Sequence, residues 1–138
     1  MRTITLIILH CSATRENHRY TAEDCKYDHM VHRKCKDIGY HYYIELDGKR
    51  VDGRPVEQKG AHCLYHNNHS IGICLEGGLD SNGKAADTRT GAQMITLMEL
   101  LSELKVRFPH ALIVAHHELN SDKPCPCFDV SEYRQLFP

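Results

Sequence analysis

Residues 3–9 (Thr-Ile-Thr-Leu-Ile-Ile-Leu) form a nearly continuous apolar run rich in isoleucine, as expected of a strand buried on both faces. A polar stretch over 12–20 follows. Thr21-Ala22-Glu23-Asp24 then predicts a helix with Thr21 as N-cap, running to about residue 35. Residues 41–46 are β-rich, Asp47-Gly48 marks a hairpin turn, and residues 49–52 supply the return strand. Gly53 ends that strand, and an irregular stretch opens at Arg54-Pro55 and reaches residue 68. Residues 70–75 (Ser-Ile-Gly-Ile-Cys-Leu) predict another strand, in which Gly72 leaves room on one face.

Residues 77–90 read as a polar, glycine-containing loop. Beyond it Met94, Leu97, Met98, Leu101 and Leu104 recur at helical spacing, so residues 92–107 are the strongest helix prediction, with both methionines packed in the core. Residues 111–115 predict a short strand ending at His116-His117-Glu118. After a loop containing Pro124 and Pro126, residues 130–136 predict a closing helix. Four or five strands interleaved with two or three helices, without repeat or linker, predict one α/β domain over residues 1–138, a central mixed β-sheet flanked by helices.

The length of 138 residues suits one domain, and 41% apolar with 25% charged residues is globular rather than disordered. Lys plus Arg number 17 and Asp plus Glu 18, a net charge of -1. That balance argues against nucleic acid as a partner, which calls for a basic stripe or tail. No run approaches the ~18 apolar residues of a membrane-spanning helix. The first apolar run is short for a signal peptide and lacks a small-residue cleavage pattern. The expectation is synthesis in the cytoplasm without a signal peptide, as a monomer whose cysteines are mostly free thiols.

What stands out is 11 His and 7 Cys, the residues that bind borderline metals. The cysteines are odd in number, scattered and without a C-x-x-C pair, which disfavours a disulfide framework or a zinc ribbon. His10 and His116 each follow a predicted strand, and in α/β sheets ligand sites gather beyond strand carboxyl ends. Cys125 lies nine positions after His116, between Pro124 and Pro126. Two imidazoles and a thiolate are a zinc set that leaves the fourth tetrahedral position for water. Two near-miss motifs fail on spacing. His117-Glu118 opens a zinc-protease motif, but position 121 is Ser. His116-His117-Glu118 with Cys125 and Cys127 departs from the deaminase pattern, in which two residues rather than one separate the cysteines.

Longer blocks carry a family resemblance: His10-Cys11-Ser12-Ala13-Thr14, Asp37-Ile38-Gly39-Tyr40-His41-Tyr42 and Asp47-Gly48. They continue through His62, Asn67-Asn68-His69-Ser70-Ile71-Gly72-Ile73-Cys74-Leu75 and Gly77-Gly78. The last are Ala115-His116-His117-Glu118 and Lys123-Pro124-Cys125-Pro126-Cys127-Phe128-Asp129. In this order, over nearly the whole chain, they resemble the zinc-dependent N-acetylmuramoyl-L-alanine amidases, the family of phage lysozyme-type amidases and peptidoglycan recognition proteins. The segment before Asp37 departs from the family pattern: its helix is short, it carries extra Cys and His, and it lacks a tryptophan.

The resemblance implies a Zn²⁺ held by His10, His116 and Cys125 at the strand ends, Tyr40 beside the metal water, and Lys123 meeting the scissile carbonyl. It implies peptidoglycan as substrate and the bond between N-acetylmuramic acid and L-alanine as the one cut, on the cell wall after release. His62 and Asn67 are candidate substrate contacts in the loop beside the cleft. His117 is set aside because adjacent strand residues point to opposite faces, and Cys127 as a packed thiol where the family carries a small residue. Two other readings stay open: a non-catalytic peptidoglycan-binding module, and a structural zinc protein whose fourth ligand is Cys127 or His117.

Overall fold

A computed structural model describes residues 2–138. From the N-terminus the elements are β1 (Leu6–Cys11), β2 (Thr14–Arg15) and α1 (Ala22–Tyr27), which runs into a π-helical turn (Asp28–His32). A hairpin of β3 (Tyr42–Ile44) and β4 (Arg50–Asp52), a 3-10 turn (Asn67–His69), β5 (Ser70–Leu75) and β6 (Gly78–Leu79) follow. The chain closes with α2 (Gly91–Arg107), β7 (Leu112–Ala115), α3 (His116–Leu119) and α4 (Ser131–Leu136). The central five-stranded sheet has the order β4-β3-β5-β1-β7. Only the β3–β4 pair is antiparallel; β5 and β7 both run parallel to β1. This is the mixed α/β architecture expected from the sequence.

The isoleucine-rich first run is explained by its central place, because a strand paired on both edges and covered on both faces needs apolar residues in every direction. Ile7 and Leu9 face a core shared with Leu97, Leu100, Leu101 and Leu104 of α2. Ile8 faces the other way, onto Cys63 and Val114. On that second face Ala22 and Cys25 of α1 pack with Ile38, Tyr43 and Cys74. Burying one such aliphatic side chain contributes roughly 1.5–3 kcal/mol. Among the described residues no helix is long and apolar enough to cross a membrane.

Several boundaries differ from expectation. The first strand begins at Leu6 rather than at residue 3 and continues to Cys11, because pairing with β5 extends to Cys11 opposite Leu75. His10 therefore lies inside the strand. The first helix opens as predicted with Thr21 as N-cap in a reciprocal capping box with Asp24, but it ends in the π-helical turn. The loop over 77–90 contains β6, which pairs with β2 in a separate two-stranded ribbon.

The methionine expectation needs correction at one position. Met98 packs against the core, whereas Met94 is 39% exposed. The buried stripe of α2 starts one residue earlier, on Gln93, which is fully buried. Its Oε1 accepts the N–H of Thr90 at 3.0 Å, and its Nε2 donates to the carbonyls of Ile44 at 3.1 Å and Glu76 at 3.0 Å. One amide thus fastens the start of α2 to the ends of two strands. Gln93→Leu would keep the volume but strand these groups without partners. The expected loss is about 3 kcal/mol of stability, read by urea unfolding; a change too small to measure would mean that water replaces the amide.

Candidate metal and catalytic site

The parallel register of β1 and β7 places Leu9 opposite Ala115. The next residues, His10 and His116, are therefore neighbours across the sheet, with ring centroids 4.6 Å apart. His116 opens α3 and His10 is almost wholly buried. Cys125 arrives from the loop beyond α3, which is tied back by the N–H of His117 to the Cys125 carbonyl at 2.9 Å. The Cys125 sulfur accepts the backbone N–H of Cys11 at 3.1 Å. One donor atom from each of His10, His116 and Cys125 lies within 4.8 Å of the other two. Among the described residues this is the one group of three or more His, Cys, Asp or Glu side chains so arranged.

The electrostatics suit the donor set. Burial, then the fields of His62 and His116, holds His10 well below the ordinary histidine range. Burial and the charge of Lys123 lower His116. Hydrogen bonding from the Cys11 thiol draws Cys125 below its usual value against the opposing effect of burial, with the Cys11 N–H and Lys123 acting in the same direction. Two neutral imidazoles and a thiol inclined to ionise are what a zinc ion requires of its ligands.

Tyr40 stands beside this cluster, its ring 5.1 Å from that of His10. Its placement follows from Gly39, whose N–H donates to Nδ1 of His29 at 2.8 Å and where a Cβ would lie 2.3 Å from the Ala61 carbonyl. Burial, and then Cys74, Cys25 and Cys125, push the Tyr40 hydroxyl well above the ordinary tyrosine range, so it rests protonated. A cleft of about 360 Å³ adjoins it, lined by Ser12, Tyr20, His29, Arg33 and other residues of the segment before Asp37. Lys123 is exposed in the loop before Cys125.

His117 stays outside the cluster, though not by strand alternation as expected. It occupies the first turn of α3, and its Nδ1 lies 3.2 Å from the Cys125 carbonyl. Cys127 has a positive φ of 71°, and its sulfur lies 3.9 Å from that of Cys11. Of the two candidate substrate contacts, His62 lies against the cluster and Asn67 braces the His62 backbone. Nδ1 of His62 is 2.8 Å from Nε2 of His10, and the Asn67 side-chain oxygen accepts the N–H groups of His62 and Cys63 at 2.9 and 3.0 Å. Burial, then His41, His116 and two arginines, hold His62 down to about 3. Sequence reasoning missed His41, which accepts the Gly72 N–H on Nδ1 at 3.0 Å and donates from Nε2 to the Gln58 carbonyl at 2.8 Å. The one signal for this packing was a glycine inside a strand.

The family model described as N-acetylmuramoyl-L-alanine amidase matches residues 1–128. The endolysin of Klebsiella phage KP32 is 37% identical over 127 residues, which are 92% of this chain and 83% of that endolysin. The solved structure of the N-acetylmuramoyl-L-alanine amidase LysC from Clostridium intestinale URNW is similar with a TM-score of 0.81 at 25% identity, covering 98% of this chain and 85% of that one. Drosophila PGRP-LB shares the fold, with a TM-score of 0.76 at 23% identity over 91% of this chain and 76% of that one.

The opposite electrostatics of Cys125 and Cys127 carry a direct expectation. Both are half-buried, but burial and Cys11 push Cys127 up to about 12. In chelator-treated protein, iodoacetamide should label Cys125 well ahead of Cys127, because the thiolate is the nucleophile. Peptide mapping by mass spectrometry reads the two rates, and equal rates would show that Cys125 is not activated.

Proposed function

This chain belongs to the N-acetylmuramoyl-L-alanine amidase family, and from that premise we propose that it hydrolyses the amide bond between N-acetylmuramic acid and L-alanine in peptidoglycan, with zinc. Residues 1–138 act as one catalytic domain, which meets its substrate at the cell wall once released from the cell interior. The observation that carries the reading is the convergence of His10, His116 and Cys125 within 4.8 Å, with the Tyr40 ring 5.1 Å from His10.

His10, His116 and Cys125 would hold the ion. When bound, Zn²⁺ lowers the pKa of a coordinated water to about neutrality and polarises the scissile carbonyl. The chain's own groups supply the rest. Tyr40, protonated at rest, orients the attacking water through its hydroxyl. Lys123 is the cation whose charge reaches His116 and Cys125, and it meets the negative charge that develops on the carbonyl oxygen. His62 lies against His10, and Asn67 braces the His62 backbone from within the loop.

Purified without chelator, the protein should carry one zinc per chain by elemental analysis. Cys125→Ser should lose most zinc and activity, while Cys127→Ser keeps most of both; the reverse result would identify Cys127 as the ligand. Tyr40→Phe and Lys123→Ala should keep zinc but slow turnover by about a hundredfold or more. Loss of zinc in either variant would make it a structural residue.

The bond itself is tested by the products. Glycan cleavage generally needs two carboxyl groups flanking the scissile bond. Glu118, two residues after the candidate ligand His116, is instead engaged by Arg134 at 2.7 Å and by the Ala115 N–H at 2.8 Å. Digestion of purified peptidoglycan should release peptides with new α-amino groups on L-alanine and no additional reducing ends, and chelator should stop it. Reducing ends would point to a glycosidase. Binding to peptidoglycan without any product would point to a recognition module.

A further inference from the structure

Four local features converge on the ring of His62. The Asn67 side-chain oxygen holds the backbone N–H groups of His62 and Cys63, which fixes the stem from which the ring projects. Gly72 of β5 lies against the ring, and a Cβ there would come within 2.6 Å of Cγ and Cδ2 and 2.7 Å of Nδ1. Gly60 closes another side, its Cβ position 2.7 Å from Cδ2. The hydroxyl of Ser70, a wholly buried residue, lies 3.3 Å from Nε2. Held this way, the ring presents Nδ1 to Nε2 of His10 at 2.8 Å, with the two ring planes at 88°.

Only one of the two facing nitrogens can carry the hydrogen. Contact with His62 occupies Nε2 of His10 and leaves Nδ1 as the nitrogen able to take a metal. A lone pair on Nδ1 of a neutral imidazole puts the hydrogen on Nε2, which then donates to an unprotonated Nδ1 of His62. The hydrogen of neutral His62 falls on its own Nε2, facing the Ser70 hydroxyl. Each ring nitrogen of the two histidines then has one role, and the assignment is self-consistent. A histidine that ligates a metal usually donates its second N–H to a buried acceptor, which fixes its tautomer and ring orientation.

We propose that His62 is a positioning residue that locks His10 in the tautomer and ring plane presenting Nδ1 to the metal, and is not a direct reader of substrate. This role rests on the zinc reading above and deepens it. Gly72 and Gly60 are then required by the site, since a side chain at either would lift the His62 ring away from His10.

The test measures zinc affinity by chelator competition, and kcat and KM at saturating zinc, for wild type, His62→Leu and His62→Asn. An Asn oxygen can stand where Nδ1 of the imidazole stood and accept from His10; Leu fills space but accepts nothing. His62→Leu should bind zinc roughly 10- to 100-fold more weakly with little change in KM, and His62→Asn should recover most of the loss. A raised KM with unaltered zinc affinity would make His62 a substrate contact, and an Asn variant no better than Leu would make it filler; either overturns the role. Should His62→Leu fail to fold, long-range ¹⁵N–¹H spectra of zinc-loaded wild type decide. A hydrogen on Nε2 of His10 supports the role, and one on Nδ1 overturns it. A wild type that takes up no zinc overturns the zinc reading and this role together, whereas wild type and His62→Leu binding zinc equally overturn this role alone.

Discussion

The register between β1 and its two parallel neighbours is the constraint on which the rest of the structure depends. Leu9 opposite Ala115 brings His10 beside His116, and His10 opposite Cys74 sets its depth in the sheet. A slip of one residue would turn His10 to the α2 face and leave His116 facing a different side chain. Burial enforces the register from both sides. Ile7, Leu9, Ile113 and Ala115 fill the core under α2, while Ile8 and Val114 fill the opposite cluster. The residues that position the candidate ligands are thus the aliphatic side chains that make any other pairing unfavourable.

A second constraint holds the irregular stretch that carries His62. Arg2 reaches across from the N-terminal segment and donates to the carbonyls of Val56 at 3.0 and 2.8 Å, and of Asn67 and Ser70 at 3.0 Å each. The buried Arg54 donates to the carbonyls of Ile38 at 2.8 Å and Lys59 at 3.1 Å. Guanidinium groups suit this work because one fork satisfies several carbonyls that no strand or helix would pair. Among the described residues no buried side-chain nitrogen or oxygen lacks a hydrogen-bond partner. A segment without periodic structure is therefore held firmly enough to keep one imidazole ring against another.

Much of this was legible in the sequence, and what was not has physical reasons. The strand at residues 70–75 coincides with β5, and the long helix differs from α2 by one residue, because unbroken apolar runs and helical spacing are strong signals. The convergence of His10, His116 and Cys125 followed from strand ends and a proline-bracketed cysteine. The β2–β6 ribbon was invisible, being two residues per strand and including Gly78, which carries no side chain to create an alternation. Gln93 was overlooked because a polar residue on the buried face of a helix is recognised only when its partners, Ile44 and Glu76, are known. Gly72 announced room on one face of β5; nothing in the sequence says that His62, ten residues earlier, fills it. Long-range pairings of polar groups in irregular backbone leave no periodic trace.

Seven cysteines share this small fold, and their local fields differ. Exposure does not separate Cys125 from Cys127, since both are half-buried. The local fields do. Cys74 and Cys63 are pushed up by burial, Cys25 is pushed up to about 12 by the same cause, and Cys11 is raised chiefly by its hydrogen bond to Cys125. That hydrogen bond is asymmetric: the same contact that keeps Cys11 a thiol draws Cys125 toward thiolate. Cys11 is adjacent to His10 in β1, so the strand that supplies one candidate ligand also supplies the N–H and S–H groups that ready the other. Strand β1, paired on both sides within the sheet, thereby sets Cys125 apart from the packed thiols through its local field.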